Sequence, residues 1–215
     1  MSQHPDPARQ YWNKVAPLKT FSHPLNKDWL HTFLPRPARV LDYGCGYGRL
    51  MGELQELGYQ SYGVDWSEAM IARGKADQPS LPLYHLTGKN WPVPEGTFEA
   101  ILLFAVLTCI PHTPDQKSLI SRLRKRFIPG GLLYVSDILL QENQRNQNLY
   151  ARFAEAYGTY GIFRLDDGGV MRHHDRSYLI HELLGDFDLL EEKEIPVTTM
   201  NGNPASAYQC LLRIN

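Results

Sequence analysis

The segment Arg39-Val40-Leu41-Asp42-Tyr43-Gly44-Cys45-Gly46-Tyr47-Gly48-Arg49-Leu50 constrains the fold more than any other part of the chain. Val40 and Leu41 close a short apolar run that reads as a buried strand. Glycines at 44, 46 and 48 then let the backbone take positive φ and approach a ligand closely. From Arg49 the spacing turns helical, with Leu50, Met51, Leu54 and Leu57 on one face and Gly58 as a stop signal. Strand, glycine turn and helix N-terminus in that order make a cradle for a nucleoside-bearing ligand.

Spacing narrows the ligand. A dinucleotide fingerprint needs its third glycine at position 49, where this chain has Arg49, so the pattern is G-x-G-x-G and not G-x-G-x-x-G. Asp42 sets a negative charge beside the turn, which suits an ammonium or sulfonium group and repels a pyrophosphate. V-L-D-Y-G-C-G-Y-G-R-L resembles motif I of the class I S-adenosylmethionine-dependent methyltransferases. Further along, Val64-Asp65-Trp66-Ser67-Glu68-Ala69-Met70 resembles that family's second motif, and Pro129-Gly130-Gly131 its turn before the fifth strand. The likeness covers residues 38–138.

It implies S-adenosylmethionine as cofactor and S-adenosylhomocysteine as product. Asp42 would hold the methionine amine, and Tyr43, Gly44, Gly46 and Gly48 the methionine and ribose side. Asp65, seventeen positions beyond Gly48, falls where a doubly wound sheet brings a carboxylate to the ribose diol, and Trp66 would lie near the adenine. Thr87 and Gly88 fall at the adenine amine when Asn90-Trp91-Pro92 is set on the family's Asn-Leu-Pro, Thr87 replacing a common Asp. Phe104 and Ala105 end the fourth strand, at the ligand crevice of an open α/β sheet. By the same likeness Tyr11, Trp12 and Lys19, in the aromatic N-terminal segment, are candidates for closing the site.

The fold expected is α/β: a doubly wound, seven-stranded, mostly parallel sheet with an antiparallel C-terminal hairpin, Rossmann-like in the class I methyltransferase manner. Residues 1–37 would be a helical cap, 38–138 the cofactor-binding core, 139–180 an insertion shaping the acceptor pocket, and 181–215 the end of a helix and the closing hairpin. Thr113-Pro114-Asp115-Gln116 reads as a capping box, and the basic run Arg122 to Arg126 as a solvated helix face. Asn201-Gly202-Asn203-Pro204 marks the last hairpin.

Charge and cysteine usage bound the partners. A net charge of −1 makes no electrostatic case for nucleic acid or an anionic membrane. No apolar run approaches the ~18 residues of a spanning helix, and the polar N-terminus does not read as a signal peptide. Three scattered cysteines without a C-x-x-C pair suggest a reducing, cytoplasmic setting. A monomer is the default expectation, a dimer being compatible.

The reaction expected is methyl transfer to an oxygen, nitrogen or sulfur nucleophile of a small molecule, an in-line displacement that needs alignment more than acid–base help. No base stands out; the candidates are His112, Tyr157, Tyr160, Arg172, His173 and His174. His173, His174, Asp175 and His181 would form at most an open ligand set, so no metal is expected. The rival readings are an NAD(P)-dependent oxidoreductase and a non-catalytic cofactor-binding protein.

Overall fold

The computed structural model describes residues 7–88 and 91–215; Asn90, used above to place Thr87 and Gly88, lies outside them. Helices α1 (Pro7–Val15) and α2 (Lys27–Phe33) precede the sheet. Then come β1 (Arg39–Tyr43), α3 (Arg49–Glu56), β2 (Gln60–Asp65), α4 (Glu68–Asp77), β3 (Leu83–His85) and β4 (Phe98–Phe104). A 3-10 turn (Leu107–Cys109), α5 (Thr113–Arg124), β5 (Phe127–Ile138) and α6 (Gln144–Tyr157) follow. The short strands β6 (Ile162–Arg164) and β7 (Val170–Arg172), a π-helical turn (Tyr178–Leu183), β8 (Phe187–Thr198) and β9 (Pro204–Ile214) complete the chain.

The main sheet has the order β3-β2-β1-β4-β5-β9-β8. Its first five strands are parallel, and β9 runs antiparallel between β5 and β8. The expected seven-stranded architecture is therefore present. Alternation along the strands explains the layering, because successive side chains point to opposite faces. Leu41, Ile101, Leu103, Leu133 and Val135 pack on one face with Leu119, Ile120 and Leu123 of α5 and with Leu179 and Leu183. Val40, Leu102, Leu132 and Tyr134 pack on the other with Leu30 of α2 and with Leu50 and Leu54 of α3. Strands apolar on both faces are what a sheet covered on both sides requires.

Where local signals and tertiary contacts compete, the contacts prevail. Thr113 does not cap α5: His112 holds that position without a side-chain bond. Gln116 instead lies buried under the sheet tips, donating to the Leu107 and Ile110 carbonyls (3.1 and 2.7 Å) and facing His174 Nε2 at 2.8 Å. The basic run is only partly solvated, since Arg122 and Arg126 both lie 4.7 Å from the Trp91 ring centroid. The Pro-Gly-Gly segment sits within β5 at a break in its register with β4, not before the strand. The fourth strand stops at Phe104 because Ala105 turns to φ 56°.

Gly74 shows how tightly the glycine turn is held. A Cβ there would come within 2.5 Å of Leu83 Cδ1 and 2.6 Å of the Tyr47 carbonyl oxygen. Helix propensity alone would favour Ala by ~1 kcal/mol, but backbone cannot swing aside as a side chain does. Gly74→Ala is expected to lower stability by about 2 kcal/mol net, a fall of roughly 4–8 °C in Tm. A thermal melt with an unchanged or raised midpoint would refute this packing.

Candidate active site

The site lies where β1, β2 and β4 end. Gly44 and Gly46 follow β1 in the left-handed region, at φ 73° and 57°, which an L side chain enters only with strain. Space is short as well: a Cβ on Gly44 would sit 2.6 Å from Val106 Cγ2, and one on Gly46 3.0 Å from the Phe21 ring. Asp65, ending β2, braces this turn. Its Oδ2 accepts from the Gly46 amide at 2.9 Å and its Oδ1 from the Ser67 amide at 2.7 Å. Ser67 in turn caps α4 by accepting from the Met70 amide.

Asp42 is the contrasting acid. It is 2% exposed, and its Oδ2 has no hydrogen-bond partner among the described residues. Burial pushes its carboxyl up to about 7, with Arg49 pulling the other way and Asp65 adding to the rise. Burial raises Asp65 too, against the pull of its backbone donors. An unpaired buried carboxylate is costly unless a donor or cation meets it.

These groups border a cavity of about 690 Å³. Of the positions singled out in the sequence, Asp42, Tyr43, Gly44, Gly46, Asp65 and Trp66 line it. So do Phe104, Ala105, Tyr11 and Trp12, and of the base candidates His112 and Tyr157. Gly48 is not on the wall; at φ 84° it opens α3, with Leu81 and Leu83 against it. Thr87 and Gly88 are exposed and off the wall. Lys19 is off it as well, paired with Asp167 at 2.9 Å and bonded to Asn201. Tyr160, Arg172 and His174 border neither this cavity nor its neighbour. Arg172 bonds the Pro111 carbonyl and Thr113, and stacks over Tyr178.

The neighbouring cavity holds about 100 Å³ and shares Trp12, Phe21, Arg49, Phe104, Ala105, Cys109 and Met171 with the first. His173 is on its wall. Ala105 is the one non-glycine with positive φ among the described residues, and such strain persists only where surrounding structure holds it. Here the Ala105 amide donates to the Ser136 carbonyl at 2.7 Å, and Cys109 Sγ donates back to the Ala105 carbonyl at 3.0 Å.

Sequence reasoning missed several wall residues: Phe21, His23, Arg49 and Arg122. Phe21 and Arg49 sat in view, but no local pattern marks a side chain that arrives from a separate segment. The cover itself is such an arrival. Asn13 on α1 accepts from the Ser67 hydroxyl at 2.8 Å, and Arg73 donates to the Ala16 and Lys19 carbonyls at 2.9 Å each. Tyr11 donates to Asp167, in the turn between β6 and β7, at 3.2 Å.

The residues fit an S-adenosyl nucleoside. A buried carboxylate oxygen awaits a cationic donor, a braced carboxylate keeps lone pairs for a diol, two glycines admit close approach, and the volume is that of a small-molecule site.

Comparison with known proteins agrees. Residues 18–179 match a family model described as a methyltransferase domain, Methyltransf_23. The ubiquinone biosynthesis O-methyltransferase of Acinetobacter baumannii (strain AYE) is 27% identical over 174 residues, covering 78% of this chain and 70% of that one. Human methyltransferase-like protein 27 is 36% identical over 107 residues, 47% of this chain and 44% of that one. Among solved structures, a SAM-dependent methyltransferase of Methanosarcina mazei superposes with a TM-score of 0.79 at 19% identity, over 86% of this chain and 96% of that one. A Burkholderia thailandensis 1,6-didemethyltoxoflavin-N1-methyltransferase, solved with its substrate and S-adenosylhomocysteine, gives 0.63 at 18% identity, over 97% of this chain and 79% of that one. Identities this low establish a shared fold.

Proposed function

The chain belongs to the methyltransferase-domain family and is an S-adenosylmethionine-dependent methyltransferase of class I fold; from that premise we propose that its acceptor is a small molecule with an oxygen, nitrogen or sulfur nucleophile. One observation carries this reading. A second cavity of about 100 Å³ adjoins the larger one and shares wall residues with it, Trp12 of α1 and Met171 of β7 among them. A space of that size fits a small organic group. The name of the Acinetobacter relative, an O-methyltransferase of ubiquinone biosynthesis, supports oxygen as the first nucleophile to test.

In this reading Asp42 takes the cofactor's ammonium group and Asp65 its ribose diol, while Gly44 and Gly46 let the backbone come close. Trp66 lies beside the adenine, and Tyr11 and Trp12 close over the top. Gly48, Thr87 and Gly88 have no direct contact to make, and Lys19 acts through Asp167. The bound cofactor supplies a methyl group on a positively charged sulfur that leaves as a neutral thioether. What remains for the protein is to exclude water and hold the nucleophile in line.

An acceptor with a low pKa needs no base; for one that does, His112 and Tyr157 are the side chains placed on the larger cavity. Asp42 disfavours a dinucleotide pyrophosphate, which argues against the oxidoreductase reading. Three unpaired cysteines suit a cytoplasmic setting, and among the described residues no helix is long and apolar enough to cross a membrane.

The test uses methyl-labelled S-adenosylmethionine with a deproteinised metabolite extract, with total RNA and with protein lysate in parallel. Label is expected in a small-molecule product. Label confined to RNA or protein would refute the acceptor class, and no transfer despite cofactor binding would favour the non-catalytic alternative.

A further inference from the structure

The two adjoining cavities differ in charge. The larger is bordered by three acids, Asp42, Asp65 and Asp115, together with Arg9, Arg49 and Arg122. No Asp or Glu among the described residues lines the smaller one, whereas Arg49 and Arg145 do. Arg49 is engaged, its Nη2 donating to the His23 carbonyl at 2.5 Å and its Nη1 lying 3.4 Å from Glu53. Arg145 is not: its guanidinium reaches only the Asn146 side-chain oxygen, at 3.4 Å, and no carboxylate among the described residues pairs with it.

Its position makes this unusual. Arg145 stands in the first turn of α6, a turn without an acidic residue, where the helix dipole disfavours a cation. Two more donors border the same space. Tyr150 accepts from the Gln141 amide at 3.1 Å and shares a hydrogen bond of 2.5 Å with His173 Nδ1. The other ring nitrogen of His173, Nε2, has no hydrogen-bond partner among the described residues. Burial holds this imidazole neutral, its pKa lowered to about 3, and in the tautomer whose Nδ1 accepts the Tyr150 proton its Nε2–H is free to donate. Asn146, 5% exposed, has an amide NH2 that is likewise unbonded among the described residues.

From these placements we infer that the smaller cavity is a subsite for the carboxylate of a small organic acid, held by Arg145, Asn146 and His173, so that the methyl acceptor is a monoanion with its nucleophile at the opposite end. This rests on the methyltransferase reading and names its substrate class. Phe21, Phe104, Phe163, Met171 and Met200 form an apolar part of the remaining wall, beside Ser22, His23, Thr108, Thr198 and Asn201, and that part receives the carbon body. Size sets an upper limit. An apolar cavity of ~150 Å³ holds benzene, so about 100 Å³ admits the carboxylate and a chain of a few carbons, and a ring only where it extends into the adjoining larger cavity.

Isothermal titration of benzoate, and of its uncharged isostere benzamide, into the full chain tests the subsite with and without saturating S-adenosylhomocysteine. Benzoate is expected to bind at least roughly tenfold more tightly than benzamide, as a charge-assisted contact requires. Arg145→Gln should abolish that preference and Arg145→Lys retain part of it. Because Arg145 is exposed, both variants should keep the parent's melting point, and S-adenosylhomocysteine should bind within about twofold of the parent. Equal binding of the two probes, no heat from either, or a preference that survives in Arg145→Gln would overturn the inference. Loss of S-adenosylhomocysteine binding with the benzoate preference intact would instead remove the cofactor reading and leave the anion site standing.

Discussion

Replacing Asp42 with Asn is expected to cost the protein most of its affinity for S-adenosylhomocysteine while making the ligand-free protein more stable at pH 8. The two effects share one cause. Asp42 is buried with an unpartnered oxygen, so the empty protein carries a charge that burial disfavours and the cofactor's ammonium group would neutralise. Removing one partner of a buried charge pair costs about 2–5 kcal/mol, so affinity should fall by roughly two orders of magnitude.

Stability moves the other way, and only above a defined pH. The group's ordinary value is 3.8 and its folded value about 7. As pH rises the unfolded chain therefore releases this proton first. The stability that Asp42 contributes is fully present below pH 3.8 and is lost as pH climbs through 7. Asn never ionises, although its unpaired amide carries a cost of its own, about 1–3 kcal/mol. The net gain for the variant at pH 8 is about 1–2 kcal/mol, a rise of roughly 2–8 °C in Tm. At pH 5, where the folded parent holds its proton, the gain should disappear. Cofactor affinity of the parent should likewise weaken as pH falls below about 7. Calorimetric titration and melts at the two pH values read all of this. Unchanged affinity would place Asp42 outside the cofactor site, and a Tm difference independent of pH would contradict the raised carboxyl.

Asp65→Ala is expected to lose cofactor binding as completely but with the opposite effect on stability. Asp65 already accepts two backbone protons, from Gly46 and Ser67, and hydrogen bonds to a charged group are worth ~1.5–3 kcal/mol each. Alanine leaves both amides without acceptors and frees the glycine turn from β2. A loss of about 3 kcal/mol is expected, lowering Tm by roughly 6–12 °C, together with a more than roughly hundredfold loss of affinity. Asp65→Asn, which keeps one acceptor oxygen, should fall between. A melt of Asp65→Ala that matches the parent would show that the turn does not depend on this carboxylate. The opposite signs at positions 42 and 65 separate an acid that stands ready for a ligand from one that also supports the fold.

Much of the frame was legible in the chain. An apolar run, glycines at alternate positions and a helical stripe from Leu50 are local patterns, and the structure forms β1, the turn and α3 on them. Asp42 and Asp65 could be set at neighbouring strand tips because a parallel strand-helix-strand unit brings successive strand ends together. Misreadings arose where a residue's partner is distant in sequence. Thr113 and Gln116 have the spacing of a capping box, yet Gln116 is drawn under the sheet by the Leu107 and Ile110 carbonyls and by His174. Strands β6 and β7, three residues each, are too short for alternation to reveal. Nothing local in the sequence marks Arg145, which pairs with no carboxylate among the described residues.

By itself, then, the order of residues determined the doubly wound sheet, its antiparallel last pair and the placing of two carboxylates and a glycine turn at one edge. Such features follow from periodicity and backbone preference, which act over a few residues. Only the tertiary structure decided which acid stands unpaired, which segments cover the crevice and where an anion can be received. Those outcomes depend on contacts such as Tyr11 with Asp167 and Tyr150 with His173, whose partners meet only after the chain has folded.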